Sequence, residues 1–220
     1  MTTFHNTPHI LKAAIVLVDP GTGILPSPLV ITLQYNPDSL SRSLQIKSIG
    51  EGGDHSEALR LKGPPVETIK LEAEIDATDQ LEVPEQNAVT LEFGIAPQLA
   101  ALEALAYPTS RQLASNNQAA GRGVLEILPM ETPLALFVWS KLRVLPVRLT
   151  ELSVTEDAFD TRLNPIRAKV SLSLRVLSVD DLGFDHKGGN LFMSHLAQKE
   201  QLAARFVYGN AAQLGLARIP

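Results

Sequence analysis

The chain has 220 residues, enough for one large or two small domains, and its 45% hydrophobic content is ample for a core. Charged residues make up 20% and the net charge is −5, which argues against a general affinity for nucleic acid. The absence of cysteine excludes disulfides, thiolate zinc sites and cysteine nucleophiles.

The opening MTTFHNTPHILKAAIVLVDPG lacks a basic region followed by a purely apolar run, so no signal peptide is expected. No window approaches about eighteen uncharged apolar residues, so no membrane-spanning helix is expected either. The expectation is a protein made, and at first used, in the cytoplasm. Residues 13–18 read as a short apolar strand stopped by Asp19-Pro20-Gly21. Residues 29–35 alternate as a second strand, stopped by Asn36-Pro37-Asp38, and the two make an N-terminal hairpin. A short strand follows at 41–46. Over 47–67 the pattern dissolves into glycine, proline and mixed charge, which predicts a long exposed loop. Such a loop is either a surface insertion or a segment ordered by a partner.

Alternation returns over 68–77, with Ile69, Leu71, Ala73 and Ile75 facing inward. Residues 95–107 read as a helix with Pro97 in its first turn and an apolar stripe through Leu99, Leu102 and Ala106. Residues 109–132 give no clear period, and 116–123 read as mobile. Residues 134–139 are apolar on both faces, so this strand is expected to be buried on two sides or to face a neighbouring subunit.

The longest regular stretch is 145–179. Its second half puts Ile166, Ala168, Val170, Leu172, Leu174 and Val176 on one face. Arg167, Lys169, Ser171, Ser173 and Arg175 fall on the other. Its first half changes parity between Leu149 and Leu152, which predicts a bulge near Thr150 or Glu151. Acidic residues, Asn164 and Pro165 predict a loop over 156–165. The product is a long two-stranded arm whose edges seek partners. Residues 180–189 read as a hinge, and 190–207 as an amphipathic helix capped by Asn190. The fold class expected is mainly β (α+β): an antiparallel barrel or sandwich with a flanking helix, a long hairpin and a C-terminal helix.

Signals of chemistry are sparse. There is no phosphate-cradling glycine loop and no dinucleotide fingerprint, and the five histidines form no HExxH. His55, between Asp54 and Glu57, is the one faint acid–base cluster, and a hydrolase built on it is one reading. Glu156, Asp157 and Asp160 lack calcium-loop spacing. No cofactor or metal is expected. A barrel that holds a small apolar ligand or a glycan is another reading.

Several blocks, in order, carry a family likeness. They are Leu33-Gln34-Tyr35-Asn36-Pro37 with Ser41-Arg42-Ser43, Gly63-Pro64-Pro65 with residues 69–78, and residues 94–103. Residues 133–139, 145–148, 155–160 and 163–168 complete the set. Over residues 12–182 the chain resembles the tube-type proteins of contractile injection systems, which are phage-tail-like particles. The resemblance implies a tail-tube β-barrel over 1–182 and a helical tail or adaptor over 183–220. It implies a baseplate tube initiator: a six-membered ring between the spike hub and the first tube layers, with an inner tube subunit proper as the alternative. Similar initiators carry a C-terminal lysin-motif domain that grips the baseplate wedges; residues 190–220 are too short for a whole one. The implied partners are the chain itself, spike or hub protein, tube proteins and, through the tail, wedge proteins. Assembly would be cytoplasmic, in a particle then released or docked at a membrane. The expected ring interface is Leu134, Leu136, Val138, Trp139, Val147, Leu149, Phe159, Arg167, Lys169 and Arg175. The expected inter-ring loop centres on Gly52, Gly53, Asp54, His55 and Arg60.

Overall fold

The structure, a computed structural model, describes residues 11–19, 29–48, 60–122 and 133–206. Seven strands form one antiparallel sheet: β1 (Ala14–Val18), β2 (Leu29–Thr32), β3 (Leu40–Gln45), β4 (Val66–Asp76), β5 (Leu134–Ser140), β6 (Arg143–Phe159) and β7 (Pro165–Val176). Their spatial order is β2-β1-β5-β6-β7-β4-β3. Among the described residues six α-helices accompany them: α1 (Thr78–Leu81), α2 (Ala88–Phe93), α3 (Ala96–Glu103), α4 (Ser110–Gly121), α5 (Val179–Leu182) and α6 (Lys187–Ala203). The mainly β, antiparallel architecture is the one the residue pattern predicts.

The sheet curls. β2 and β4 are separated by four strands in the hydrogen-bonded order. Yet the side-chain amide of Gln34, just beyond β2, donates to the Asp76 carbonyl (2.6 Å) and accepts from the Asp76 amide (2.9 Å) at the end of β4. A carboxamide carries the same donor and acceptor as a peptide, so one side chain stands in for a missing strand pair. The core lies inside this curl. Ile15, Ile69, Phe137, Leu145, Val170 and Leu172 are all almost completely buried there, and α3 adds Leu99 and Leu102.

β7 buries Ala168, Val170, Leu172, Leu174 and Val176, as alternation requires. In β6 the register slips between Leu149 and Glu151, so Thr150 is the extra residue and its hydroxyl donates to the Ser173 carbonyl (2.9 Å). The hairpin differs from the expected arm in two ways. β4 runs along β7 from Thr68 to Asp76, so only the β6 side outruns its neighbours. The turn is also shorter than 156–165. A second bulge at Asp157 and a further register shift between Ala158 and Phe159 carry the pairing on to Phe159, and Pro165 opens β7, where a missing N–H costs little.

Three helical regions depart from expectation. Residues 78–93, which gave no predicted element, contain α1, a 3-10 turn and α2. Residues 110–121 are a helix, started by a capping box in which Thr109 and Gln112 satisfy each other's backbone amides. The expected hinge contains α5, capped by Ser178 and Asp181, and α6 begins before Asn190, with the His186 ring accepting from the Gly188 amide (3.1 Å).

Candidate assembly surface

β5 pairs with β6 only between Arg143 and Val147. β7 pairs with the other side of β6 all the way to Phe159. From Arg148 to Phe159, one side of β6 therefore has no strand partner among the described residues. An unpaired row of N–H and C=O groups is a template for another strand. Two bulges interrupt the row, and Glu156, opposite core-facing Ala168, puts a charge where an apolar residue would continue the inner face. These features discourage indiscriminate pairing and demand a partner of matching register.

The tip of this hairpin is pinned down. Asp160 accepts from the amides of Arg162 (2.7 Å) and Asn164 (2.8 Å). Arg162 and Asn164 reach across to the last carbonyls of α2, at Leu91 and Glu92. A helix C-terminus presents unsatisfied carbonyls and negative partial charge, so a guanidinium and a carboxamide suit it. The Ile95 amide then donates to the Pro165 carbonyl (2.8 Å). Gly94, at φ 59°, lets the chains approach so closely that a Cβ there would lie 2.1 Å from the Pro165 oxygen.

The residues expected at a ring interface are distributed as follows. Leu134 and Val147 are buried within the chain itself. Leu136, Val138, Trp139 and Leu149 are half-buried, and Trp139 stacks at a tilt on Phe137 with ring centres 5.9 Å apart. Phe159 is exposed at the end of β6. Arg167 is exposed and binds Asp76 (2.7 Å), Lys169 lies 3.9 Å from Asp157, and Arg175 binds Asp181 (2.6 Å). Of the expected inter-ring loop, Arg60 is exposed, whereas Gly52, Gly53, Asp54 and His55 lie outside the described residues, as does Glu57.

Residues not singled out from the sequence hold the tail helix. Glu67, buried at the start of β4, accepts from Arg42 on β3 (2.7 Å) and from Lys199 on α6 (3.2 Å). Burial alone would raise its carboxyl. The Arg42 hydrogen bond and the Lys199 charge outweigh that and hold it below the ordinary 4.5. Near it, burial together with the Lys199 charge pushes the His195 imidazole below its ordinary 6.5. A neutral ring can still donate through Nδ1 to the Leu142 carbonyl, 3.2 Å away. Glu67 sits on the inward parity of β4, in phase with Ile69 and Leu71. A carboxylate in an apolar register was the available signal.

No group of His, Asp or Glu among the described residues is placed to hold a metal ion. No helix of the described residues is long and apolar enough to cross a membrane. An apolar cleft of about 770 Å³ opens between the sheet, at Ile15, Leu17 and Leu174, and the segment carrying Leu105 and Gln112.

No family model matches the chain, and no curated protein matches it. Among solved structures, it is similar to a chain in the tail of an empty gene transfer agent particle with C6 symmetry, at 10% identity and a TM-score of 0.29, covering 74% of this chain and 90% of that one. A chain of the native gene transfer agent virion matches at 8% identity, with the same coverage and TM-score.

Proposed function

We propose that the chain is a non-enzymatic structural subunit of a phage-tail-like contractile particle, a tube initiator whose ring joins the spike hub to the inner tube. The observation that supports this reading is the side of β6 from Arg148 to Phe159 that has no strand partner among the described residues, held by β7 on one side and by α2 at its tip. An ordered edge loses little entropy on pairing, so strand addition by the next copy is favoured. Head-to-tail contacts of this kind close into a ring when the rotation closes. Each Leu, Ile or Val buried at a joint contributes about 1.5–3 kcal/mol. In this reading residues 1–182 form the ring body, and residues 183–220 are an adaptor toward baseplate wedge proteins. Assembly takes place in the cytoplasm.

Sedimentation and negative-stain microscopy of the purified chain, alone and with the cognate spike and tube proteins, test the proposal. Six-membered rings are expected. Pro is placed at Thr155 and, separately, at Glu156; neighbouring strand positions aim their N–H groups to opposite sides. The variant that strips the outer edge keeps its fold and yields monomers. The other breaks a β6–β7 bond and melts lower. Persistent monomers that bind neither partner overturn the reading. The 770 Å³ cleft supports a second reading, a module for an apolar ligand. That reading requires a monomer whose melting temperature rises with ligand.

A further inference from the structure

β2 stands at one end of the strand order, with β1 on one side and no strand on the other among the described residues. The pairing decides which groups that free side presents. The Leu33 amide donates to the Ala13 carbonyl (2.8 Å), one step beyond the ladder in which Ala14 faces Thr32. Bonding direction alternates along an antiparallel strand, so Leu29, Ile31 and Leu33 bond toward β1. Val30 and Thr32 therefore aim their N–H and C=O groups away from it. These four groups have no hydrogen-bond partner among the described residues.

This edge is one wall of a groove of about 430 Å³. α3 and the last part of β4 line it as well, with Ala101, Leu102 and Ile75. Ile31 and Leu33, which pack on the core, join these three in an apolar floor. Gln98 of α3 also lines the groove, and its Oε1 is buried with no partner among the described residues. A buried carboxamide oxygen without a donor costs free energy, and a donor brought to it recovers that cost. Lys12 and Glu74, on the same groove, carry opposite charges, so net charge selects nothing there.

Unpaired strand groups beside an apolar floor are the chemistry of strand addition: main-chain bonds hold a peptide, and the floor reads its alternate side chains. We propose that the groove takes an extended segment of a partner protein, added as a strand to β2 alongside α3 and apolar at every second position. Side chains directly opposite one another share a face of the sheet. The segment's residues opposite Ile31 and Leu33 are thus the ones that meet the floor. A sheet edge of a second copy fits poorly. A sheet brings its next strand with it, and α3 lines the groove where that strand would continue. The inference is independent of ring formation through β6, which uses a different strand.

The test pans the whole chain against a library of short linear peptides. Enriched sequences are expected to alternate apolar and polar residues. One of them, synthesised with a fluorescent label, is the probe for anisotropy titration. Thr32→Pro removes an outward N–H on the side where an edge strand tolerates proline, so β2 keeps its bonds to β1. It is expected to weaken probe binding roughly tenfold or more. Ala101→Trp fills the groove without touching the strand and is expected to do the same. Both variants are expected to leave ring formation unchanged. Amide exchange at Val30 and Thr32 should slow when the probe binds. Enrichment of no alternating sequence overturns the inference, as does full binding by both variants. A probe that slows exchange elsewhere but not at Val30 and Thr32 also overturns it. If Thr32→Pro changes the sedimentation of the chain alone, the edge belongs to a second copy and the inference fails.

Discussion

Gly94 bears most directly on how the hairpin tip is held. Its positive φ and the 2.1 Å approach of the Pro165 oxygen leave no room for a side chain. Gly94→Ala combines a backbone penalty with a clash against main chain rather than against a flexible group. A destabilisation of about 2 kcal/mol or more is expected, measured by urea melting. Amide exchange should rise first at Ile95 and Asn164, because their bonds set the spacing at this crossing. The glycine was visible in the sequence, but its partner was not, because Pro165 lies 71 positions away by residue number.

Among the elements, α6 meets the sheet through Phe192, which packs against the core, and through two titratable groups, Lys199 on Glu67 and His195 on the Leu142 carbonyl. Both Glu67 and His195 have lowered values in the fold. Each therefore binds fewer protons when α6 is docked, and docking weakens as pH falls. The His195 contribution is present above 6.5 and fades as pH falls from there toward its lowered value. The Glu67 contribution is present above 4.5 and is lost as pH drops through its lowered value. Native-state amide exchange, corrected for the intrinsic rate, should show α6 losing protection relative to β7 between about pH 6.5 and 4. Glu67→Gln should remove the lower part of that dependence and cost about 1–3 kcal/mol at neutral pH, since Arg42 and Lys199 would lose their counter-charge. The elements differ in how far they could be read from sequence. β7 was legible because five buried apolar residues alternate with polar ones, and the β6 bulge was legible because parity changes across it. α4 was not, because SRQLASNNQAAG has no apolar stripe and buries nothing; its one signal was Thr109 with Gln112 three positions on. α6 was seen but started too late, because His186 rather than Asn190 meets its first amides. The β6 edge was anticipated as a free arm. That β4 covers the β7 side depends on pairing across about a hundred residues, which periodicity does not encode.

At the scale of the whole molecule, the curl of the sheet brings β2 near β4, and Gln34 joins them. Gln34→Leu keeps the bulk and removes both bonds, leaving the Asp76 amide and carbonyl without them. A loss of about 1–2 kcal/mol is expected, with β1 and β2 exchanging earlier than β5 to β7. Elsewhere around the circumference, neighbouring strands share ladders of several bonds, so shear must break many bonds together. Among the described residues no strand ladder joins β2 to β4, so the hoop gives way first where Gln34 fastens it. Pulled from its rim, this wall would unroll between β2 and β4 and release the N-terminal hairpin as a flap, while the sheet from β5 to β3 keeps its shape.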